Sequence, residues 1–278
     1  MTQVGRRTNH LKISHLHKEF DIDGARQDDH IYQEIVKSGR FYEIDLLTYM
    51  YSVRKYFGGP DSIAVDVGAN IGNHAIFFRS FLTDHLIAVE PNPDVLPTLT
   101  GNLERNIDRF KIYPIGMGDS STHGTIVPPD SAKPNQGSTR VEVEGEDKGI
   151  GTHSIEIRTL DSMVAEWRNE NVNSGRITLL KIDVEGMELD VLRGAKETIE
   201  KDRPHLFIEA TTLEEFAALN AHLEPLGYVA LNKWGYTAVY HFAHSPPRHL
   251  LIISCKIKIQ RLLGRIKRKT IHMCGGHT

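Results

Sequence analysis

Cysteine is scarce in this chain, and long apolar runs are missing from it. Only Cys255 and Cys274 occur among 278 residues, which is too few for a disulfide-supported fold and is typical of a reducing compartment. The first part of the chain contains no apolar segment of the roughly 7–15 residues that a signal peptide needs. The apolar stretch at residues 250–253 is far too short to span a bilayer. These absences predict a soluble protein of the cytoplasm.

A large net charge of either sign is also missing. The formal net charge is −3, and residues 245–278 contain no aromatic side chain on which a base could stack, so a nucleic-acid partner is not expected. The charge is uneven, because residues 248–269 contain eight Lys or Arg and no acidic residue. Basic residues of this tail recur at helical spacing, namely Lys258, Arg261, Arg265 and Arg268. A basic amphipathic helix predicts either peripheral contact with the inner face of a membrane or docking on the chain's own acidic body.

Short apolar runs alternate with helical patterns through the centre of the chain. The predicted strands are SIAVDV (62–67), HLIAVE (85–90), FKIYPIGMG (110–118), ITLLKID (177–183) and HLFIEA (205–210). Helical patterns follow them, among them residues 73–82 and 187–199. This alternation predicts an α/β fold with a mostly parallel sheet and helices on both faces. YVALN (228–232) and TAVYHF (237–242) would close the sheet as a hairpin-like edge.

Three regions follow from this pattern. Residues 1–60 are predicted to form a loose arm, over 1–27, and the helices that precede the core. Residues 61–243 form the α/β domain, and residues 244–278 form the basic tail. The segment 120–176 is inserted between the third and fourth strands, where a stretch of this length is usually functional or disordered. We expect it on the substrate side of the domain.

Glycine and carboxylates gather at the predicted strand ends. The first strand leads into Gly68-Ala-Asn-Ile-Gly72, a turn that bends the backbone sharply and lets a helix present its amides to an anionic group. The spacing lacks the third glycine of dinucleotide sites, so it favours a small zwitterion over a diphosphate. Glu90 ends the next strand and could accept both hydroxyl hydrogens of a ribose. Asp119 follows the third strand and could accept from the exocyclic amine of adenine, so these positions predict a nucleoside-binding slot.

Two further carboxylates, Asp183 and Glu185, stand where strand 177–183 ends. Burying an unpaired charge is costly, whereas the carboxyl ends of strands in an open α/β sheet commonly face a ligand crevice. The pair therefore predicts a ligand site at this edge of the sheet.

Several blocks of the sequence resemble the FkbM family of S-adenosylmethionine-dependent methyltransferases. The blocks are VDVGANIGNHAIFF (65–78), AVEPNPDVLPTLTGNLERN (88–106), PIGMGD (114–119), RTLDSM (158–163), LLKIDVEGMELDVLRGA (179–195) and FIEATTLEEF (207–216). The resemblance implies a Rossmann-like class I methyltransferase fold with a mostly parallel seven-stranded sheet. It implies S-adenosylmethionine as cofactor and methyl transfer to a hydroxyl of a sugar, glycan or related small molecule, which would be the partner.

The resemblance also implies roles for individual residues. The cofactor-binding positions would be Asp66, Gly68, Asn70, Gly72, Asn73, Glu90, Asn92, Asp119 and Asp183. The methionine part of the cofactor would be lined by Asp66, Gly68, Asn70 and Gly72. Glu90 would hold the ribose, and Asp119 would hold the adenine. Asp183 would lie beside the methyl donor, and residues 135–139 would overhang the substrate.

Methyl transfer to an alcohol requires an aligned hydroxyl and a base within hydrogen-bond reach. The catalytic candidates are Asp183, Glu185, Glu209 and His74. The first two are favoured because they follow the strand whose end would abut the transferred group, while Lys181 is expected to pack or pair structurally. A Mg²⁺ ion held by Asp183, Glu185 and Glu209 is an alternative, but clustered carboxylates more often share hydrogen bonds, and we predict no metal.

Two other functions stay open at this point. A nicotinamide-dependent oxidoreductase would use the same ribose carboxylate but normally needs the missing third glycine. A non-catalytic membrane-associated adaptor would keep the core as a scaffold and use the basic tail as an anchor.

Overall fold

The secondary structure comes from a computed structural model, which describes residues 10–26, 29–127, 140–143, 153–171, 175–235 and 238–257. The strands are β1 (Leu11–His15), β2 (Lys18–Ile22), β3 (Ser62–Val67), β4 (His85–Val89), β5 (Phe110–Tyr113), β6 (Gly116–Met117), β7 (Thr122–Val127), β8 (Arg140–Val143), β9 (His153–Arg158), β10 (Arg176–Ile182), β11 (His205–Glu209), β12 (Tyr228–Trp234) and β13 (Val239–His244). The helices are α1 (His30–Ser38), α2 (Ile44–Val53), α3 (Asn73–Phe81), α4 (Leu96–Asn106), α5 (Leu160–Glu170), α6 (Glu188–Arg193), α7 (Lys196–Asp202) and α8 (Leu213–Leu223).

The main sheet has seven strands in the order β12-β13-β11-β10-β3-β4-β5. The five strands from β11 to β5 run parallel, and β13 runs antiparallel to both β11 and β12. The predicted α/β fold and its hairpin-like edge are confirmed. From β3 the chain builds β4 and β5 on one side and later β10 and β11 on the other. The carboxyl ends of β3 and β10 therefore flank the crevice where ligands bind in open α/β sheets.

The two faces of the sheet have separate apolar cores, because successive side chains of a strand point to opposite faces. Ile63, Val65 and Val67 face a core shared with α5–α8. Ala64 faces a core shared with α1–α4. Asp66 follows Ala64 at the two-residue period, so the alternation directs its carboxylate to the α1–α4 face.

The predicted insertion supplies three strands, β7, β8 and β9, of a small second sheet in the order β6-β9-β7-β8. Its own core consists of Ile126, Ile155 and Ile157, and α5 then leads back to the main sheet. The strand predicted over 110–118 divides between the two sheets. Pro114 stands between the parts, and a proline cannot donate a backbone hydrogen bond to a sheet. The predicted overhang at 135–139 lies outside the described residues.

The prediction of a loose N-terminal arm is wrong for residues 11–22, which form the β1–β2 hairpin. Phe20 and Ile22 of this hairpin are buried in the core beside α1–α4. Asn106 of α4 accepts from the backbone amide of Asp21 at 2.8 Å and donates to its carbonyl at 2.7 Å. A side-chain amide thus takes the place of a neighbouring strand, an interaction between positions 85 residues apart that no local pattern could indicate.

The prediction of one continuous helix over 187–199 is wrong, because this segment divides into α6 and α7. The new start at α7 has its own cap: the Asp161 carboxylate accepts from the amides of Glu197 and Thr198, both at 2.8 Å. Thr212 and Glu215 form a capping box at the start of α8.

The basic positions 258, 261, 265 and 268 of the tail lie outside the described residues, and residues 248–257 are helical. Within the part of the chain that the structure describes, none of the helices combines the length and apolarity that crossing a bilayer requires.

Candidate active site

The carboxyl ends of four parallel strands meet at one edge of the main sheet. The amide of Asp183, after β10, donates to the carbonyl of Val67 at the end of β3 (3.1 Å). The amide of Gly68, after β3, donates to the carbonyl of Val89 at the end of β4 (3.0 Å). Glu209 is the last residue of β11, which pairs with β10 in parallel. Residues scattered from 66 to 209 in the sequence are therefore gathered at a single crevice.

The glycine turn at 68–72 is locked against the end of β10. Gly68 has a φ of +80°, and a Cβ at this position would lie 1.8 Å from the backbone oxygen of Asp183. The missing side chain is thus needed for close approach of two chain segments, in addition to the ligand approach that the sequence predicts. Gly72, with a φ of +88°, is the N-cap of α3.

Gly68→Ala should therefore be strongly destabilising or should prevent folding. The added Cβ would clash with backbone, which cannot rotate away as a flexible side chain can. The new alanine would also have to adopt a left-handed φ. Gly39→Ala is the matched control, because Gly39 has a φ of +65° with nothing within 4 Å of its ideal Cβ. The left-handed φ alone should cost the control about 1–2 kcal/mol. Equal losses of unfolding free energy in urea titrations would contradict the backbone contact.

Glu90 is held rigidly beside this turn. Its side chain is buried, and its two carboxylate oxygens accept from the backbone amides of Asn70 and Asn92, each at 2.9 Å. Burial raises the pKa of Glu90, and these two amide hydrogen bonds oppose that rise. Each carboxylate oxygen keeps a second lone pair, so Glu90 can still accept from a ligand hydroxyl. Asn70 and Asn92 hold Glu90 through their backbone amides. Contacts of their side chains with a cofactor stay predictions.

Lys181 pairs structurally, as predicted. Its side chain is 1% exposed, and its Nζ donates to Asp183 Oδ2 at 2.8 Å and lies 3.9 Å from Asp66 Oδ1. Burial alone would lower the pKa of Lys181, but the charges of Asp183 and Asp66 outweigh it and raise that pKa. Burial also disfavours the charged form of Asp183, yet Lys181 and a hydrogen bond with Glu209 lower the pKa of Asp183. Asp183 is consequently an ionised carboxylate at neutral pH.

Asp66 lies deeper in the same crevice and is 1% exposed. Neither of its carboxylate oxygens has a hydrogen-bond partner of normal geometry among the described residues. Burial raises the pKa of Asp66, and the nearby Lys181 opposes that rise. An unsatisfied buried carboxylate is costly, so Asp66 is suited to a cationic or hydrogen-donating group of a ligand.

Glu209 and Asp183 share one proton. Burial, the charge of Asp183 and the hydrogen bond to it raise the pKa of Glu209 to about 9. Two carboxylates in contact cannot both ionise without strong repulsion. At neutral pH Glu209 is therefore a hydrogen-bond donor to Asp183 and not a base.

Replacing Glu209 with Gln should stabilise the protein at alkaline pH. The native state keeps this proton up to a pKa of about 9, whereas an unfolded Glu releases it near its ordinary value. Stability must therefore fall as pH rises between those two values, by up to about 1.4 kcal/mol per pH unit. Glu209→Gln removes that loss, so its Tm should match wild type near pH 4.5 and exceed it increasingly toward pH 9, by about 2–4 °C for each kcal/mol. The exposed Glu214→Gln is the control, and a Tm difference that does not grow with pH in thermal unfolding would contradict the shared proton.

Glu185 completes a cluster of three carboxylates. Single oxygens of Asp183, Glu185 and Glu209 lie within 4.8 Å of one another, and the exposed Glu185 has a left-handed φ of 60°. These are the donors that Mg²⁺ prefers. Lys181 offsets the charge of Asp183, and a proton neutralises Glu209. The absence of a metal stays a prediction.

His74 faces the N-terminal part of the chain. Its Nε2 lies 3.3 Å from Glu43 Oε2, and both side chains are more than nine-tenths buried. The Asn73 amide is engaged with Tyr42: its Oδ1 accepts from the Tyr42 amide (2.9 Å) and its Nδ2 donates to the Tyr42 carbonyl (3.2 Å). The sequence indicated neither Tyr42 nor Glu43 as a site residue. Both lie in a segment that reads as an ordinary helix start, and they reach the site only through tertiary contacts.

Asp119 is exposed, and the Ser120 hydroxyl donates to its carboxylate at 2.8 Å. It follows β6 of the second sheet, which comes after β5 in the chain. A role with adenine stays a prediction.

Comparison with known proteins identifies one domain family. Residues 66–236, well over half of the chain, match the model of the methyltransferase FkbM domain. The matched range includes every candidate described above except Tyr42 and Glu43.

Individual relatives match over shorter ranges. Hexuronic acid methyltransferase AglP of Haloferax volcanii is 33% identical over 50% of this chain and 52% of its own length. The 2-O-methyltransferase NoeI of Sinorhizobium fredii is 26% identical over 52% of this chain and 61% of its own length. The chain thus spans about half to three-fifths of these relatives. The crystal structure of methyltransferase FkbM from Methylobacillus flagellatus superposes with a TM-score of 0.46 at 22% identity, covering 68% of this chain and 44% of that one.

Proposed function

Since the chain belongs to the methyltransferase FkbM domain family, we propose that it is an S-adenosylmethionine-dependent O-methyltransferase acting on a hydroxyl of a sugar or glycan. The observation that carries the proposal is the ionised Asp183, fixed by Lys181 and Glu209, at the edge that also holds the glycine turn and Glu90.

The residues of this edge fit the cofactor. Asp66 has two unsatisfied buried oxygens, which suit the ammonium of the methionine part. Glu90 retains acceptor capacity for ribose hydroxyls. Gly68 has no side chain that would block the approach of the cofactor to the turn. When bound, S-adenosylmethionine supplies an electrophilic methyl group on a positively charged sulfur. A crevice lined with carboxylates favours such a cation.

The chain's own residues align and deprotonate the acceptor. Asp183 is ionised and stands at the strand end, so it can accept a hydrogen bond from the acceptor hydroxyl and take its proton. Lys181 holds this carboxylate in one orientation at 2.8 Å, and Glu209 also hydrogen-bonds to it. Because the pKa of Asp183 is lowered, it is a weak base, and orientation of the hydroxyl must supply much of the rate gain.

A hydroxyl-rich acceptor is supported by the polar character of the crevice and by the relatives. AglP is named for a hexuronic acid and NoeI for 2-O-methyl transfer.

We also propose that the second sheet, with the segment 120–176 to which most of it belongs, lies on the acceptor side. We propose further that the basic tail contacts an anionic membrane surface at the cytoplasmic face.

The proposal is tested by incubating the protein with methyl-deuterated S-adenosylmethionine and a panel of methyl hexosides, nucleotide sugars and polysaccharide fragments. A mass gain of one labelled methyl per acceptor is expected. Calorimetry should give heat with S-adenosylmethionine and none with NAD. Tight binding of NAD without binding of S-adenosylmethionine would instead favour an oxidoreductase, and cofactor binding without any labelled sugar would overturn the acceptor class.

A further inference from the structure

Tyr42 and Glu43 pack against the start of α3, next to the active-site edge, and lie outside the range that matches the domain family. They connect α1 to α2, and the Tyr42 backbone is pinned by two hydrogen bonds with the Asn73 side chain at the start of α3. Glu43 has a left-handed φ of 53°. For a non-glycine residue this conformation costs energy, so tertiary contacts must hold it there.

The charges of the reacting edge act on Tyr42, and Glu43 acts on that edge in turn. Burial, Glu43, Asp183 and Glu209 together raise the pKa of the Tyr42 hydroxyl to about 12, which places that half-buried ring in the field of the catalytic carboxylates. The Tyr42 ring centroid lies 6.5 Å from that of His74. Glu43 also contributes to the field at Lys181. The contact with Asn73 places Tyr42 beside the residue directly after the glycine turn, whose Gly68 packs against the backbone of Asp183.

A second observation indicates that the space beside these residues receives a polar ligand. His74 Nε2 is buried and has no hydrogen-bond partner of proper geometry among the described residues, although it lies 3.3 Å from Glu43. A buried polar atom without a partner is rare in native proteins. A ligand hydroxyl that approaches both groups from one side could hydrogen-bond to His74 and to Glu43.

We propose that Tyr42, Glu43 and His74 form an acceptor subsite for a neutral sugar ring, with Tyr42 as its stacking platform and Glu43 as the residue that disfavours anionic sugars. The inference rests on the proposed function. Sites for small molecules combine an aromatic surface with a few placed polar groups, and a sugar offers an apolar ring face together with hydroxyl hydrogens. A carboxylate on the acceptor would lie near Glu43, Asp183 and Glu185, where like charges repel.

The test compares neutral methyl hexosides with the matched methyl hexuronosides as acceptors. Wild type should show a kcat/KM at least tenfold higher for the neutral member of a pair. Tyr42→Ala should raise the acceptor KM about tenfold with little change in kcat, whereas Tyr42→Phe should stay near wild type. Glu43→Gln should lower about tenfold the ratio of kcat/KM for the neutral hexoside to kcat/KM for the matched hexuronoside. The calorimetric affinity for S-adenosylhomocysteine should be unchanged in every variant, which also shows that each one has folded.

Glu34→Gln is the matched control, a partly exposed carboxylate of the same N-terminal region that pairs only with Lys37 among the described contacts. If wild type methylates hexosides but the three site variants keep its acceptor KM and its selectivity, the subsite is wrong and the proposed function stands. A preference for the uronide in wild type would overturn the charge selection. If no sugar is methylated, the subsite falls together with the proposed acceptor class.

Discussion

Asp183→Asn should lower kcat by at least about 100-fold, the lower range for loss of a positioned general base. The variant keeps the size of the side chain but loses the charge that accepts from Lys181 at 2.8 Å and from the acceptor hydroxyl. Its affinity for S-adenosylmethionine should change less than its turnover, because Asp66 and Glu90 remain. Initial rates at saturating cofactor and calorimetry separate these two effects.

A loss of stability could imitate this result, since the variant leaves the buried Lys181 ammonium with Asp66, at 3.9 Å, as its remaining ion-pair partner among the described residues. Removing one partner of a buried ion pair commonly costs about 3–5 kcal/mol. The double variant Lys181→Met with Asp183→Asn removes both charges and should recover much of that stability without recovering turnover. Asp190→Asn is the control, because Asp190 makes an i,i+3 pair with Arg193 on α6. Turnover near wild type in Asp183→Asn would show that Asp183 is not the base.

Glu90→Gln should weaken S-adenosylmethionine binding by about 10- to 100-fold while leaving kcat at saturating cofactor within a few fold. A hydrogen bond to a charged group contributes about 1.5–3 kcal/mol, and about 1.4 kcal/mol corresponds to tenfold in Kd. Glutamine also offers a single acceptor oxygen, so one of the amides of Asn70 and Asn92 would lose its partner. Calorimetric titration of S-adenosylmethionine and S-adenosylhomocysteine gives the measurement.

The exposed Glu104→Gln on α4 is the control for Glu90, with the same change of charge at a surface position. A fall in kcat without a change in Kd would place Glu90 in the chemical step and would reverse the roles assigned to Glu90 and Asp183. An unchanged Kd with unchanged kcat would remove Glu90 from the site.

Local patterns were sufficient for the elements of the main sheet. β3, β4, β10 and β11 appear within one or two residues of their predicted bounds, because buried parallel strands are continuous apolar runs. The predictions that failed concern contacts distant in sequence. The β1–β2 hairpin depends on Asn102 and Asn106 of α4, and the break between α6 and α7 depends on Asp161 of α5.

The sequence alone determined which strands end in carboxylates and glycines, and strand order in a parallel sheet then required those ends to share one edge. It could not decide how the carboxylates divide their roles. Asp183, Glu185 and Glu209 are chemically alike in the sequence, and only the packing of Lys181 against Asp183 ionises one of them while burial protonates Glu209. Tertiary structure alone also brought Tyr42 and Glu43 to the site. Protonation and proximity depend on distances of a few ångströms between groups far apart in the chain, and those distances exist only after folding.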